Sequence, residues 1–268
     1  MVEPKLPGAV ERYVNLGDCY NRAGLQAVRS ELTACMKGYK GCYQRAYRCL
    51  TAAAQIGEDM RAALITPAVE ARLAKRTKGI LSREVKKSGR EPGKAVQRFL
   101  GAITWKGLLC NFDTVDALCR RVYELSDSYG LAHIMLTHLA TGAMAAGYDV
   151  ILCPSPMYPD RIEHLLIPGL SLAFVTSTPA LPYGKRPYRR LRLDAMVDQE
   201  AARHLRARLR FSRKVSAALV EEAVDSLGQA KAMHDDLESL YNPNVDFDQV
   251  YRTAGEIIDE LKARLARA

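Results

Sequence analysis

Apolar residues change their spacing twice along this chain, and the changes mark out its elements. From about residue 20 to residue 64, through "LQAVRSELTACMKGYKGCYQRAYRCLTAAAQIGEDMRAAL", they recur three and four apart with no proline, the period of a helix burying one stripe. Pro67 ends or bends that helix, and a second helical pattern starts near Ala68. From Val96 to Thr178 the texture is different. "VQRFLGAIT", "VYEL", "DVILCPS" and "SLAFVTST" are short runs suited to buried strands, with helical material between them. That alternation predicts an α/β unit around a mainly parallel sheet. Beyond "TPALPYGKRPYRR" the helical period returns from about Asp198, and "YNPNVDFD", 241 to 248, breaks it into two helices. "KKSGREPGK", 86 to 94, has the glycines, proline and charges of a linker and is the predicted boundary. Three regions follow: helical 1–90, α/β 95–182 and helical 183–268.

An internal repeat relates the two helical regions. In "AYRCLTAAAQIGEDM" and "AVDSLGQAKAMHDDL", Ala46, Leu50, Ala53 and Asp59 meet Ala223, Leu227, Ala230 and Asp236. Shortly afterwards "TPAVE" meets "NPNVD", bringing Pro67 opposite Pro243. Two copies of a larger unit are expected, each an α/β domain followed by a helical hairpin. The first α/β domain would then precede Met1, as in a truncated or decaying gene product.

Composition narrows the class only a little. With 268 residues, 48% hydrophobic and 26% charged, the chain suits one large globular domain or two modest ones. No run approaches a membrane-spanning length, and "MVEPKLPGAVERYVN" lacks the basic start and apolar core of a signal peptide. The seven cysteines are odd in number and fit no disulfide framework, so the expected compartment is the cytoplasm. Cys35, Cys42 and Cys49 recur every seven residues on one helix. At about 10 Å between neighbours they cannot share a zinc ion, so they are read as small apolar residues on a buried stripe.

The net charge of +9 is uneven. From Lys185 to Lys214 there are eleven Lys or Arg against three acids, Asp194, Asp198 and Glu200. A second basic stretch runs from Arg72 to Lys94. Either can attract nucleic acid or nucleotide phosphates, although neither interleaves aromatic residues of the kind that stack bases. The plain alternative is a solvated helix face with a linker.

Between "VYEL" and "GYDVILCPSP" lies "ELSDSYGLAHIML", a turn entering a helix, where nucleotide-binding folds cradle phosphate. Three stretches around it carry a resemblance: "CPSPMYPDRIEHLLIPGLSLAFVTS", "MHDDLESLYNPNVDF" and "PKLPGAVERYVNLGD". They resemble a family of uncharacterised bacterial ATPases built from two tandem P-loop domains, and the likeness covers most of the chain. The fold class it implies is α/β, a P-loop NTPase-like parallel sheet domain flanked by large helical regions. Residues 1–90 would be the helical remnant of a first repeat.

The same resemblance exposes the departure. The family's loop has the form G-x-x-x-x-G-K-[ST], whose lysine reaches the outer phosphates and whose hydroxyl holds magnesium. Here the lysine slot falls on Ala132 or His133, and the hydroxyl slot on His133 or Ile134. The strand "LAFVTS" stands in the Walker B place, yet it ends in Thr176 and Ser177 where an acid is required. The candidate nucleotide-facing residues of this degenerate loop are Ser126, Asp127, Ser128, Tyr129, Gly130, Leu131, Ala132 and His133. A helix N-terminus there still offers N–H groups to an anion, with His133 as a substitute cation or a residue lining the turn. Asp160, Arg161, Glu163 and His164 form a second candidate ligand-facing set. Read on a helix, Glu163 and His164 diverge, and Asp160 serves first as an N-cap.

The expected function is therefore non-catalytic, acting by binding or as a partner of other proteins. No metal and no firm cofactor are expected. Two alternatives accompany it: residual or trans-completed ATP binding, with magnesium, and nucleic-acid binding through Arg186 to Arg213. The helical face at 20–64, deprived of its own α/β domain, is expected to find cover by self-association or a protein partner.

Overall fold

The computed structural model describes residue 6, residues 8 and 9, and residues 11–266. Several positions of the 4–18 stretch lie outside these. Compactness divides the chain into two units, Met1–Cys42 with Gln229–Ala268 and Tyr43–Gly228. Helices α2 (Arg29–Ala62) and α7 (Arg206–Tyr241) contribute to both.

In the first unit α1 (Arg22–Ala27) is capped by the Asn21 side chain and α8 (Phe247–Leu265) by Asp246. The Asn21 N–H donates to the Asn244 carbonyl and the Asp246 N–H to the Cys19 carbonyl, both at 2.8 Å. Met233 of α7 occupies the space over Gly38 of α2, where a β-carbon would lie 2.4 Å from its methyl. Cys35 Sγ donates to the Met233 carbonyl. In this unit α7 packs on part of the stripe that the sequence leaves in want of a partner. All seven cysteines are free thiols.

The two segments related by the repeat take one form, a long helix and then a shorter one. They are α2 with α3 (Pro67–Glu84), of 34 and 18 residues, and α7 with α8, of 36 and 19. Thr66 caps α3 as Asp246 caps α8. The matched alanines Ala46, Ala53, Ala223 and Ala230 are all buried.

The second unit is a mixed α/β body. Its strands are β1 (Ala95–Gln97), β2 (Gly101–Thr104), β3 (Gly107–Cys110), β4 (Arg121–Ser126), β5 (Val150–Pro154), β6 (Ile162–Ile167), β7 (Leu172–Ser177) and β8 (Arg189–Arg192). Six form one sheet in the order β1-β5-β6-β7-β4-β8, while β2 and β3 make a separate hairpin. The large sheet is parallel except for β6, which runs against both neighbours. Its short connections to β5 and β7 have no room for a crossover. The segment read as helical in the sequence is therefore a strand. "IEHLLI" has no clean alternation, because a central strand is covered on both faces.

Helix α5 (Ala132–Ala145) connects β4 to β5 and packs with α3 on one face. There Leu73, Ile80, Met135 and Leu139 meet Tyr123, Leu125, Leu165 and Phe174. The opposite face, with Val122, Leu166, Ala173 and Val175, is covered by α4 (Phe112–Leu118) through Phe112 and Val115. Helix α3, expected to belong to an orphaned region, thus supplies Val69, Leu73 and Ile80 to one core. Residues 86–94 are no free linker. The N–H groups of Ser88 and Gly93 donate to the Ala146 and Met144 carbonyls at 2.9 Å. A β-carbon on Gly93 would lie 2.0 Å from the Tyr148 carbonyl oxygen.

Glu84, the last residue of α3, ties that helix to β4. Its side chain is 3% exposed and accepts from Tyr123 Oη at 2.5 Å, Arg121 Nη1 at 2.6 Å and Arg83 Nε at 3.2 Å. Burial alone would raise its carboxyl, but the Tyr123 hydroxyl and the Arg83 and Arg121 guanidiniums hold it below 4.5. A depressed acid stabilises the fold above its unfolded value, and that contribution fades as pH falls through the folded one. Glu84→Gln is expected to cost about 2 kcal/mol at pH 7, the scale of hydrogen bonds to a charged group. Urea titrations should find this difference shrinking as the pH drops below 4.5; a difference constant with pH would refute the charge-based account.

Candidate functional site

Strand β4 ends at Ser126, the chain turns through Asp127–Leu131, and α5 begins at Ala132. Gly130, at φ +76, makes the turn, and a β-carbon there would come 2.9 Å from Arg61 Cδ. The layout is the strand–turn–helix that the sequence anticipates. The N–H groups of Ser128, Tyr129, Leu131 and Ala132, however, are committed internally. Asp127, 3% exposed, accepts from the Tyr129 N–H at 3.0 Å and the Ala132 N–H at 2.7 Å, with the Leu131 N–H also directed to it. The Ser128 N–H donates to Asp194 Oδ1 at 2.8 Å. The Asp127 carboxylate therefore stands where an anion would sit at the head of α5. Burial pushes this carboxyl above its usual range, with the three N–H groups pulling the other way.

Beside the loop, outside the carboxyl ends of β4, β5 and β7, lies a cavity of about 310 Å³. The carboxyl edge is the general position for ligands in open α/β sheets. Gly57, Met60 and Arg61 of α2, with Leu64 in the turn after it, form one wall, and Ser155, Met157 and Tyr158 a second. Arg161, Ile162 and Glu163 enter from the start of β6, and Leu209 and Arg213 from α7.

Three guanidiniums reach this space. Arg161 forks onto Glu58, with Nη1 to Oε1 at 2.5 Å and Nη2 to Oε2, and lies 4.5 Å from the Tyr158 ring centre. Arg61 Nη2 is 3.3 Å from the same Glu58 carboxylate, and its Nη1 donates to the Gly130 carbonyl. Arg213 donates to the Ser128 carbonyl and lies over the Tyr129 ring at 5.1 Å. The hydrogen bond from Arg161 holds Glu58 below the usual carboxylate range, so it stays charged. The Glu58 carboxylate thus faces two guanidiniums, Arg213 adds a third, and Asp127 and Glu163 are the acids on the cavity wall.

His133 is not the substitute cation envisaged. Burial first, then the Arg161 and Arg61 charges, push its pKa down. Its Nδ1 accepts from the Ile162 N–H at 3.3 Å, which places the hydrogen on Nε2. It lines the cavity as a neutral donor. Glu163 is pushed up to about 7 by burial, so near neutrality its carboxyl is held as a mixture of acid and carboxylate.

The sequence-derived residues thus separate. Asp127, Ser128, Tyr129, Gly130, Ala132 and His133 line the cavity; Ser126 and Leu131 do not. Arg161 and Glu163 line it too. Asp160 is exposed in the turn before β6 and caps no helix. His164, 1% exposed, is buried against Phe112, with Nδ1 accepting from the Thr176 N–H and Nε2 3.7 Å from Cys110 Sγ. Thr176 donates to the Glu163 carbonyl, and Ser177 accepts the Tyr183 N–H. Neither presents an acid for magnesium, and no hydroxyl follows the loop, so this donor set does not fit that ion. Among the described residues the one cluster with metal-ligand spacing is His234, Asp235 and Glu238 on α7 in the first unit, where Lys231 already holds Asp235.

Glu58, Arg61 and Tyr158 escaped the sequence reading, and Arg213 entered it only within the basic stretch from Arg186 to Arg213. Glu58 and Arg61 sit in unbroken helical text, and nothing local says that this turn of α2 meets a loop 69 residues on.

The basic 185–214 segment is divided in use. Lys185 pairs with Asp113 and Asp116, and Arg190 pairs with Glu124 at 2.6 Å. Arg203, Arg206, Arg210 and Arg213 line a second groove of about 490 Å³ with Tyr129 and Leu209. Comparison with protein-family models, curated proteins and solved structures returns no match.

Proposed function

We propose that this chain is a binding protein of P-loop-like descent without NTPase activity. Its ligand site is the cavity beside the loop, and the ligand is a small anion carrying a ring. The carrying observation is the Asp127 carboxylate, which already accepts the N–H groups that a phosphate would need. The missing lysine, hydroxyl and acid argue the same way. The cavity supports binding on separate grounds. It has three guanidiniums, the Tyr158 and Tyr129 rings, a neutral N–H donor on His133 and an apolar wall.

Nucleotide binding without metal is a second reading, favoured by the same arginines and rings. A thermal-shift titration with ATP and with AMP, each with and without magnesium, tests both. The expected result is that magnesium changes neither shift and that phosphate release stays at the level of a blank. A magnesium-dependent rise of several degrees would overturn the reading of the loop as filled.

A further inference from the structure

Arg203, Arg206, Arg210 and Arg213 recur three and four residues apart across α6 (Gln199–His204) and the start of α7, and all four are exposed. The intervening Leu205 is itself in the right-handed helical region and keeps the two helices nearly continuous. The row therefore spans roughly 15 Å at about 1.5 Å per residue. Among the described residues none of the four is paired with an acid. The nearby acids are used elsewhere: Asp194 on the Ser128 N–H, Asp198 as the cap of α6, Glu200 beside His204. A row of unneutralised cations this long exceeds what one nucleotide's phosphates need. It suits several successive phosphates, which lie about 3.4 Å apart along a stacked strand.

The row also ends in the right surroundings for a base. Its groove shares Tyr129, Leu209 and Arg213 with the cavity beside the loop. Tyr129 supplies the aromatic face that the basic sequence itself does not interleave. At the cavity Glu163 offers a carboxyl able to accept from a base N–H, such as the ring N3–H of thymine. A backbone-tracking row of cations beside aromatic faces and a ring-sized apolar pocket is how single strands are held. An acidic peptide would satisfy the arginines and leave the pocket without a ring. A duplex would keep its bases stacked away from it.

We propose that the Arg203–Arg213 groove binds single-stranded nucleic acid, with the phosphates on the arginine row and one unpaired base in the adjoining cavity. The cavity half of this proposal rests on the binding reading above; the arginine row does not. The probe is a fluorescein-labelled twelve-nucleotide oligo(dT), followed by anisotropy over a salt series. Single-strand binding should weaken with a log–log salt slope of about −0.7 per phosphate contacted, so four arginines give roughly −3. Arg206 and Arg210 line the groove and not the cavity. Their double alanine variant should bind at least tenfold more weakly, with the slope reduced by about 1.4. Arg72→Ala with Arg76→Ala, on the basic face of α3, should change little, and circular dichroism will confirm that each variant is folded. An unchanged slope in the Arg206/Arg210 variant would overturn the proposal. So would equal competition by polyglutamate, equal binding to a twelve-base-pair duplex, or equal binding to anionic phosphatidylserine vesicles. Arg161→Ala examines the cavity separately. Loss of AMP binding there with oligo(dT) binding reduced only modestly supports both readings; AMP binding unaffected by Arg161→Ala overturns the cavity half alone.

Discussion

Asp127→Ala is expected to cost about 3 kcal/mol of stability and, in the same step, to create affinity for inorganic phosphate. The carboxylate is buried and receives the N–H groups of Tyr129, Leu131 and Ala132. Loss of a cap at a helix start costs about 1 kcal/mol, and each buried donor left without an acceptor adds about 1–3 kcal/mol. Part of this returns as water enters the space, which brings the expected total to about 3. The freed N–H groups at the head of α5 would face the gap left by the carboxylate, the arrangement in which helix termini hold anions. Urea unfolding should therefore show a large loss in plain buffer that phosphate partly restores, since a ligand of the native state alone stabilises by mass action. Asp127→Asn keeps one acceptor and should lose less, with no phosphate effect. A loss under about 0.5 kcal/mol for Asp127→Ala would mean that the carboxylate does not hold the turn.

Phe174→Ala should cost more still, about 4 kcal/mol. The ring lies at the middle of β7, with β6 and β4 on either side, and is completely buried. It stacks on Tyr123 with ring centres 5.0 Å apart and planes at 27°. Tyr123 in turn donates its hydroxyl to Glu84. Truncation leaves a cavity that strands fixed on both sides cannot close, and it removes the support that aims the Tyr123 hydroxyl. Phe174→Leu, which keeps most of the volume, should cost about 1.5 kcal/mol or less. Urea midpoints distinguish the two; equal losses would show that the ring's shape and stacking carry the whole effect and the apolar volume that leucine keeps carries none.

How far the sequence could be read depended on what surrounded each element. Strands β4, β5 and β7 announce themselves because apolar runs as short as "VYEL" and "LAFVTS" suit only buried strands. Strand β8, "RRLR", gives no such signal; its charge is tolerable as an edge strand because Arg190 finds Glu124 on the neighbouring β4. Strand β6 was obscured by being central, which removes alternation, and by Glu163 and His164, which suggest a helix cap or a catalytic pair. At the candidate site, the loop's position was legible and its state was not. The aspartate that takes up the N–H groups of the turn looks like any turn residue until the helix start is fixed at Ala132. Glu58 and Arg61 came from a helix whose local text is unexceptional, Arg213 from a basic stretch that points to no cavity, and only the tertiary fold brings them together.

The seating of residues 86–94 bears on how the molecule can be divided. A protein begun at residue 95, where the glycines and proline invite a cut, would lack α3 and with it Val69, Leu73 and Ile80. The face of α5 carrying Leu136 and Leu139 would then be open to water, together with Gly142, against which Leu81 now packs. Such a fragment would keep every strand of the sheet and still be sticky, a half-covered layer prone to coalesce with its own copies. The smallest separable piece of this sheet starts before Pro67, in what the sequence alone presents as the other half of the chain.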